Sequence, residues 1–247
     1  MTAAARERLH LIDALRGFAL LAMLSYHLFY DIVVIFGGDY AAALSPPAVA
    51  WSRLAGVMFV LISGVSLNLS HHAVGRGVRL CLLAFVVTAV TYFAVPSQAV
   101  YFGVLGLLGA SMIICQKLRP LLNRCNPFAG AAASLALFAV TFGVPKHYLG
   151  FFDVPVIRLP DALYGWRALS FLGFPDPGLR SSDYYPLIPW LFLFLCGYFL
   201  WRVIRALNAE RFFTIKIAPL CFLGRHTLII YIIHQPLLYG LCALILG

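Results

Sequence analysis

Charge is scarce in this sequence: Asp, Glu, Lys and Arg together make up 11% of its 247 residues, against about a quarter in a typical soluble domain. Acids are scarcest, with 9 Asp and Glu against 18 Lys and Arg. Polar surface is too sparse to coat a water-soluble globule, and so many apolar side chains do not fit a disordered segment. The 6 cysteines show no zinc-type spacing and no disulfide framework, so neither a metal site nor a stapled scaffold is expected. A net charge of +9 in a soluble chain would suggest nucleic acid. Here the cations are scattered and flank apolar runs, so the expected partner is the lipid bilayer, with its anionic headgroups, and no nucleic acid.

What is present is hydrophobic: 62% of the residues, with a mean hydropathy of +0.92. A bilayer core needs about 20 apolar residues per helix. Seven runs qualify, at roughly 11–36, 48–70, 79–95, 99–115, 128–144, 184–206 and 227–247, of which the third, fourth and fifth are short. The stretch from Phe212 to Leu223 is too short to cross and contains Lys216, so it reads as an interfacial or re-entrant helix. The expectation is an all-α polytopic membrane protein, a helical bundle of about seven spans forming one integral domain over residues 1–247.

Cation placement orients it, because cationic loops stay in the cytoplasm. Arg6 and Arg8, then Arg76 and Arg79, then Lys117, Arg119 and Arg124, then Arg202, Arg205, Arg211, Lys216 and Arg225 fall in alternate connections. Residues 37–47 hold only Asp39, and 96–98 hold no charge. The N-terminus is therefore expected in the cytoplasm and the C-terminus outside, in a bacterial inner membrane. Arg6, Arg8 and Ala41-Ala42-Ala43 have the outline of a signal peptide, but the apolar run is too long for one.

Ionisable groups inside a bilayer are costly, so each is a functional candidate. Asp13, Arg16, His27 and Asp31 all lie in the first run. At about 100° per residue, the step from Arg16 to His27 is three turns with about 20° of drift, so the two share a face about 16 Å apart. Asp13 and Asp31 join that stripe at steps of three and four residues. An imidazole trades protons near neutral pH, and Asp31 one turn along is placed to orient it. Arg16 at the inner rim suits a phosphate-bearing donor. The plainer readings are an interfacial Asp13–Arg16 pair and a helix-to-helix hydrogen bond from His27.

Other candidates are weaker. Arg53 in the second run is placed either to bind an anionic acceptor, to pair with Asp31, or to reach headgroups. His71, His72, Arg76 and Arg79 border an inner loop where nucleotide phosphates or lipid headgroups would be held. Gly103, Gly106 and Gly109 flatten one face of the fourth run, for tight packing or for an acyl chain to pass. His234 precedes Pro236, which should kink the last run, and is placed either to face His27 or to make a hydrogen bond within the bundle. The long fifth connection, 145–183, mixes aromatics and aspartates that suit either sugar rings or the membrane interface.

The segment Leu11-Ile12-Asp13-Ala14-Leu15-Arg16-Gly17-Phe18-Ala19-Leu20, leading to Ser25-Tyr26-His27, resembles the opening of the heparan-alpha-glucosaminide N-acetyltransferase catalytic-domain-like membrane proteins. The likeness continues in Phe59-Val60-Leu61-Ile62-Ser63-Gly64-Val65-Ser66 and Tyr101-Phe102-Gly103-Val104-Leu105, then in Asp183-Tyr184-Tyr185-Pro186-Leu187-Ile188-Pro189-Trp190 and Leu223-Gly224-Arg225-His226-Thr227-Leu228-Ile229-Ile230-Tyr231. It implies transfer of acetyl from cytoplasmic acetyl-coenzyme A to a hydroxyl or amine of an extracytoplasmic sugar or glycan. The Arg16-to-His27 spacing is also similar to the first-helix motif of membrane O-acyltransferases, and the role of His27 comes from that pattern. The lysosomal enzyme's histidine after the first helix has no counterpart here, since residues 28–70 contain none.

Together these readings make His27, as base or transient acyl carrier, and Asp31 the catalytic candidates. Arg16, Arg76 and Arg79 would hold acetyl-coenzyme A, Arg53 and His234 would meet the acceptor, and no metal is expected. Two alternatives stay open: a small-solute or lipid transporter using the same stripe, and a non-catalytic family member. Internal repeats that would favour a transporter are not detectable.

Overall fold

A computed structural model describes residues 9–70 and 72–246. Arg6, Arg8 and His71 lie outside the described residues. Helix α1 (His10–Tyr30) runs without proline into a π-helical turn, Asp31–Phe36, that ends at Gly37. A short helix α2 (Tyr40–Ala43) is capped by the Asp39 carboxylate, which accepts from Ala42 N. The long helices α3 (Pro46–Leu67), α4 (Ala73–Ala94), α5 (Val104–Leu122) and α6 (Pro127–Thr141) follow. A two-stranded antiparallel hairpin, β1 (Tyr148–Phe151) and β2 (Val154–Arg158), and several 3-10 turns fill the fifth connection. Helices α7 (Leu187–Ala206), α8 (Ala218–Arg225) and α9 (Thr227–Leu246) complete the chain.

Seven of the helical segments are long and apolar enough to cross a membrane, so this is an all-α, multi-pass membrane protein apart from the hairpin. The first, sixth and seventh spans, His10–Phe36, Leu187–Ala206 and Thr227–Leu246, lie close to their expected limits. The fourth differs: it covers Val104–Leu122 rather than 99–115. Its start is set by backbone geometry that hydropathy does not register. Residues 96–98 form a 3-10 turn, Phe102 takes a φ of +55°, and the Asp183 carboxylate accepts from Val104 N at 3.1 Å. An anion at a helix N-terminus completes the free amide there.

The chain divides into two compact units, residues 9–62 with 204–246, and 63–203. In the first, α8 lies backbone to backbone on α1. A side chain on Gly17 would collide with the Leu220 carbonyl, and one on Gly224 with the Asp13 carbonyl. Cys221 Sγ adds a contact to His10 O at 3.3 Å. Lipid supplies no hydrophobic drive between helices, so small residues that allow close approach are what hold such pairs. The segment expected as one interfacial helix over 212–223 is instead a 3-10 turn, Glu210–Thr214, and then α8. Pro219 near the α8 N-terminus favours that restart.

In the second unit Gly77 and Gly109 bring α4 against α5, and a Cβ on Gly64 would collide with the Phe194 carbonyl. Gly106, by contrast, would meet only Ala84 Cβ at 3.6 Å. Arg202 stops α5: its guanidinium donates to Leu122 O at 2.7 Å, Asn123 O at 3.1 Å and Cys125 O at 3.2 Å. Leu122 O and Asn123 O lie at the helix end, where carbonyls lack intrahelical donors, although Leu122 O also accepts from Cys125 N at 3.2 Å. Residues 98–104 and 181–185 are laced together, with Tyr101 N donating to Ser181 Oγ at 2.9 Å and Tyr185 N to Phe102 O at 2.9 Å. The second of these is a backbone pair. All six cysteines are free.

Candidate active site

The first unit gathers a polar cluster inside two apolar helices. The imidazoles of His27 on α1 and His234 on α9 meet edge to face, ring centroids 4.9 Å apart and planes at 61°. Asp31, where the π-helical turn begins, is fully buried at 0% exposure, and His234 is 8% exposed. His27 and Gln235 are half-buried. Gln235 Nε2 donates to Asp31 Oδ1 at 2.9 Å. Helix α9 thus sets His234 against His27 and the next residue, Gln235, against Asp31, at the start of the π-helical turn that continues α1. π-Helical turns are rare and recur at functional sites.

The Asp31 carboxylate therefore serves Gln235. It neither orients the His27 ring nor pairs with Arg53, which is exposed on α3. The physical reason lies in the last helix: an amide N–H delivered beside a buried carboxylate satisfies one of its oxygens without bringing in a second charge.

The polar stripe on α1 resolves into two separate contacts. Arg16 Nη1 pairs with Asp13 Oδ1 at 3.1 Å, side chains 26% and 15% exposed, while His27 and Asp31 engage α9. Arg76 and Arg79 belong to the other unit, both exposed on the first turns of α4, with Arg79 Nε donating to Gly75 O at 3.3 Å. His72 is the exposed residue preceding α4, and no group of three or more His, Cys, Asp or Glu able to hold a metal occurs among the described residues.

Three buried polar atoms in the cluster have no hydrogen-bond partner: Asp31 Oδ2, Gln235 Oε1 and His234 Nε2. The only other such atom among the described residues is Ser111 Oγ, so the deficit is concentrated here. Buried polar groups left unpaired cost about 1–3 kcal/mol each, so the cluster is a candidate functional site.

A family model described as heparan-alpha-glucosaminide N-acetyltransferase, catalytic, matches residues 8–236. The chain belongs to that family. The match runs from the start of α1 to Pro236 and so takes in every member of the cluster. Membership suggests transmembrane acetyltransferase activity in general. A search of curated proteins finds no match, and neither does a search of solved structures.

The family segments also do structural work. Leu11 to Leu20 receives α8 at Gly17, and the Tyr101 and Asp183 segments bind each other. Gln235 has no assigned role in the sequence reading. Its signal was an amide beside His234 in an otherwise apolar helix, where polar groups are costly and therefore informative.

Proposed function

We propose that this protein moves an acetyl group from cytoplasmic acetyl-coenzyme A to an amine or hydroxyl of an extracytoplasmic sugar or glycan, across a bacterial inner membrane, with its N-terminus in the cytoplasm. The observation that carries this reading is the His27–His234 contact, two imidazoles 4.9 Å apart beside a buried carboxylate in membrane-spanning helices. Family membership supports the acetyl chemistry.

His27 is the transient acyl carrier. A carrier must be reached by the donor and then by the acceptor, and the half-buried His27 meets that condition better than the buried His234. Arg16 at the cytoplasmic end of the same helix guides the phosphates of the donor, about 16 Å from the imidazole. A pantetheine arm spans such a distance. Arg76 and Arg79 add cationic surface for the nucleotide, and Arg53 for the acceptor.

Proteoliposomes enclosing an amino sugar, with acetyl-coenzyme A outside, test the assignment. Acetylated sugar should accumulate inside with wild-type protein and not with His27→Ala. Passage of unmodified sugar or coenzyme without acetylation would instead establish the transporter reading.

A further inference from the structure

The unpaired atoms of the cluster share one chemical character. His234 Nδ1 is bonded to Tyr231 O, and a carbonyl only accepts, so Nδ1 carries the proton. A neutral imidazole has one N–H, which leaves Nε2 as a bare lone pair. Gln235 spends its amide N–H on Asp31, so the orphaned Oε1 is an acceptor. Asp31 Oδ2, the free oxygen of a carboxylate, is an acceptor too. The three unpaired atoms are therefore acceptors, and what completes them must bring hydrogens.

On that basis, and resting on the acetyltransferase reading, we propose that His234 Nε2 is the general base that deprotonates the acceptor, while Asp31 and Gln235 bind the acceptor's remaining N–H or O–H groups. The two histidines divide the reaction. In the first half, a ring nitrogen of His27 attacks the thioester carbonyl, the C–S bond breaks, and coenzyme A leaves as thiolate with that electron pair. In the second half the acceptor heteroatom attacks the acetyl carbon and its proton passes to His234 Nε2. The bond from the acetyl carbon to His27 then breaks, and the pair returns to the His27 nitrogen. The ring contact places base and carrier side by side for this step. The Tyr231 carbonyl fixes the tautomer that makes Nε2 the basic atom.

Coenzyme A thiol release by purified protein, measured with and without an amino sugar, tests the division. His234→Ala and His234→Gln should keep one equivalent of rapid thiol release and lose about 100-fold or more in steady turnover, the range general base catalysis supplies. His27→Ala should lose both phases. Imidazole added to His234→Ala should restore part of the turnover. Loss of both phases in a folded His234 variant, or turnover undiminished, would overturn the assignment. Wild-type thiol release without an initial equivalent would overturn the two-step form, and no release at all would sink the acetyltransferase reading with it. Nitrogen-15 spectra of the wild-type histidines give a check independent of variant folding: a protonated Nε2 on His234 in the resting protein contradicts the proposal.

Discussion

Gln235 Nε2 donates to Asp31 Oδ1 at 2.9 Å across 204 residues of sequence, joining the last membrane helix to the first. It is the one donor that the buried carboxylate receives in the cluster. Removing it in Gln235→Ala should lower the stability of the detergent-solubilised protein by about 1–3 kcal/mol, the cost of stranding a buried polar group. In an unfolding titration, Asp31→Ala combined with Gln235→Ala should cost less than the two separate changes summed. Strict additivity would mean that the bond contributes nothing.

The glycines between α1 and α8 give a packing prediction. Gly224→Ala already sets a methyl on the Asp13 carbonyl, and Gly17→Leu drives a larger group into Leu220. Each should destabilise by about 1–3 kcal/mol through overpacking. Limited proteolysis between residues 207 and 217 should become faster as α8 loosens.

Arg202 is expected to act as a helix stop and only secondarily as a topological charge. Arg202→Lys keeps the charge but loses the planar fork that reaches three carbonyls. It should therefore lower the melting temperature nearly as much as Arg202→Ala, a loss of about 1.5–3 kcal/mol for charged hydrogen bonds. Full retention of stability by the lysine variant would count against the cap.

Outside the spans, the hydrogen bond from His147 and then the charge of Arg158 hold the Asp161 carboxyl below its usual 3.8. His147 Nδ1 lies 3.1 Å from Asp161 Oδ1, and the His147 ring stacks on Tyr164 at 3.5 Å. The lowered value means that the ionised form is favoured in the folded connection. Its contribution is intact above pH 3.8 and is lost as pH falls through the lower, folded value. Asp161→Asn should remove that acid-dependent component from a proteolysis profile of the fifth connection and leave cleavage at neutral pH little changed, because the pair is exposed and screened.

The membrane spans were legible because any crossing helix must carry a long apolar run, whatever it packs against. The boundary at Val104 was not, since residues 99–103 are as apolar as the helix after them. A positive φ at Phe102 and a carboxylate from Asp183, a distant segment, decide where the turns begin. The stripe on α1 was legible for the same periodic reason, and His27 and Asp31 do share the face that meets α9.

The sequence by itself determined the class: too little charge for water, seven runs long enough for a bilayer, and a few polar residues that had to be accounted for inside it. Tertiary structure alone decided who meets whom. Periodicity describes one helix at a time, so it aligned Asp31 with His27 but was blind to Gln235. Contacts between helices depend on how two surfaces dock. Here docking turned the carboxylate to an amide, set a second imidazole against the first, and left three buried polar atoms without a hydrogen-bond partner.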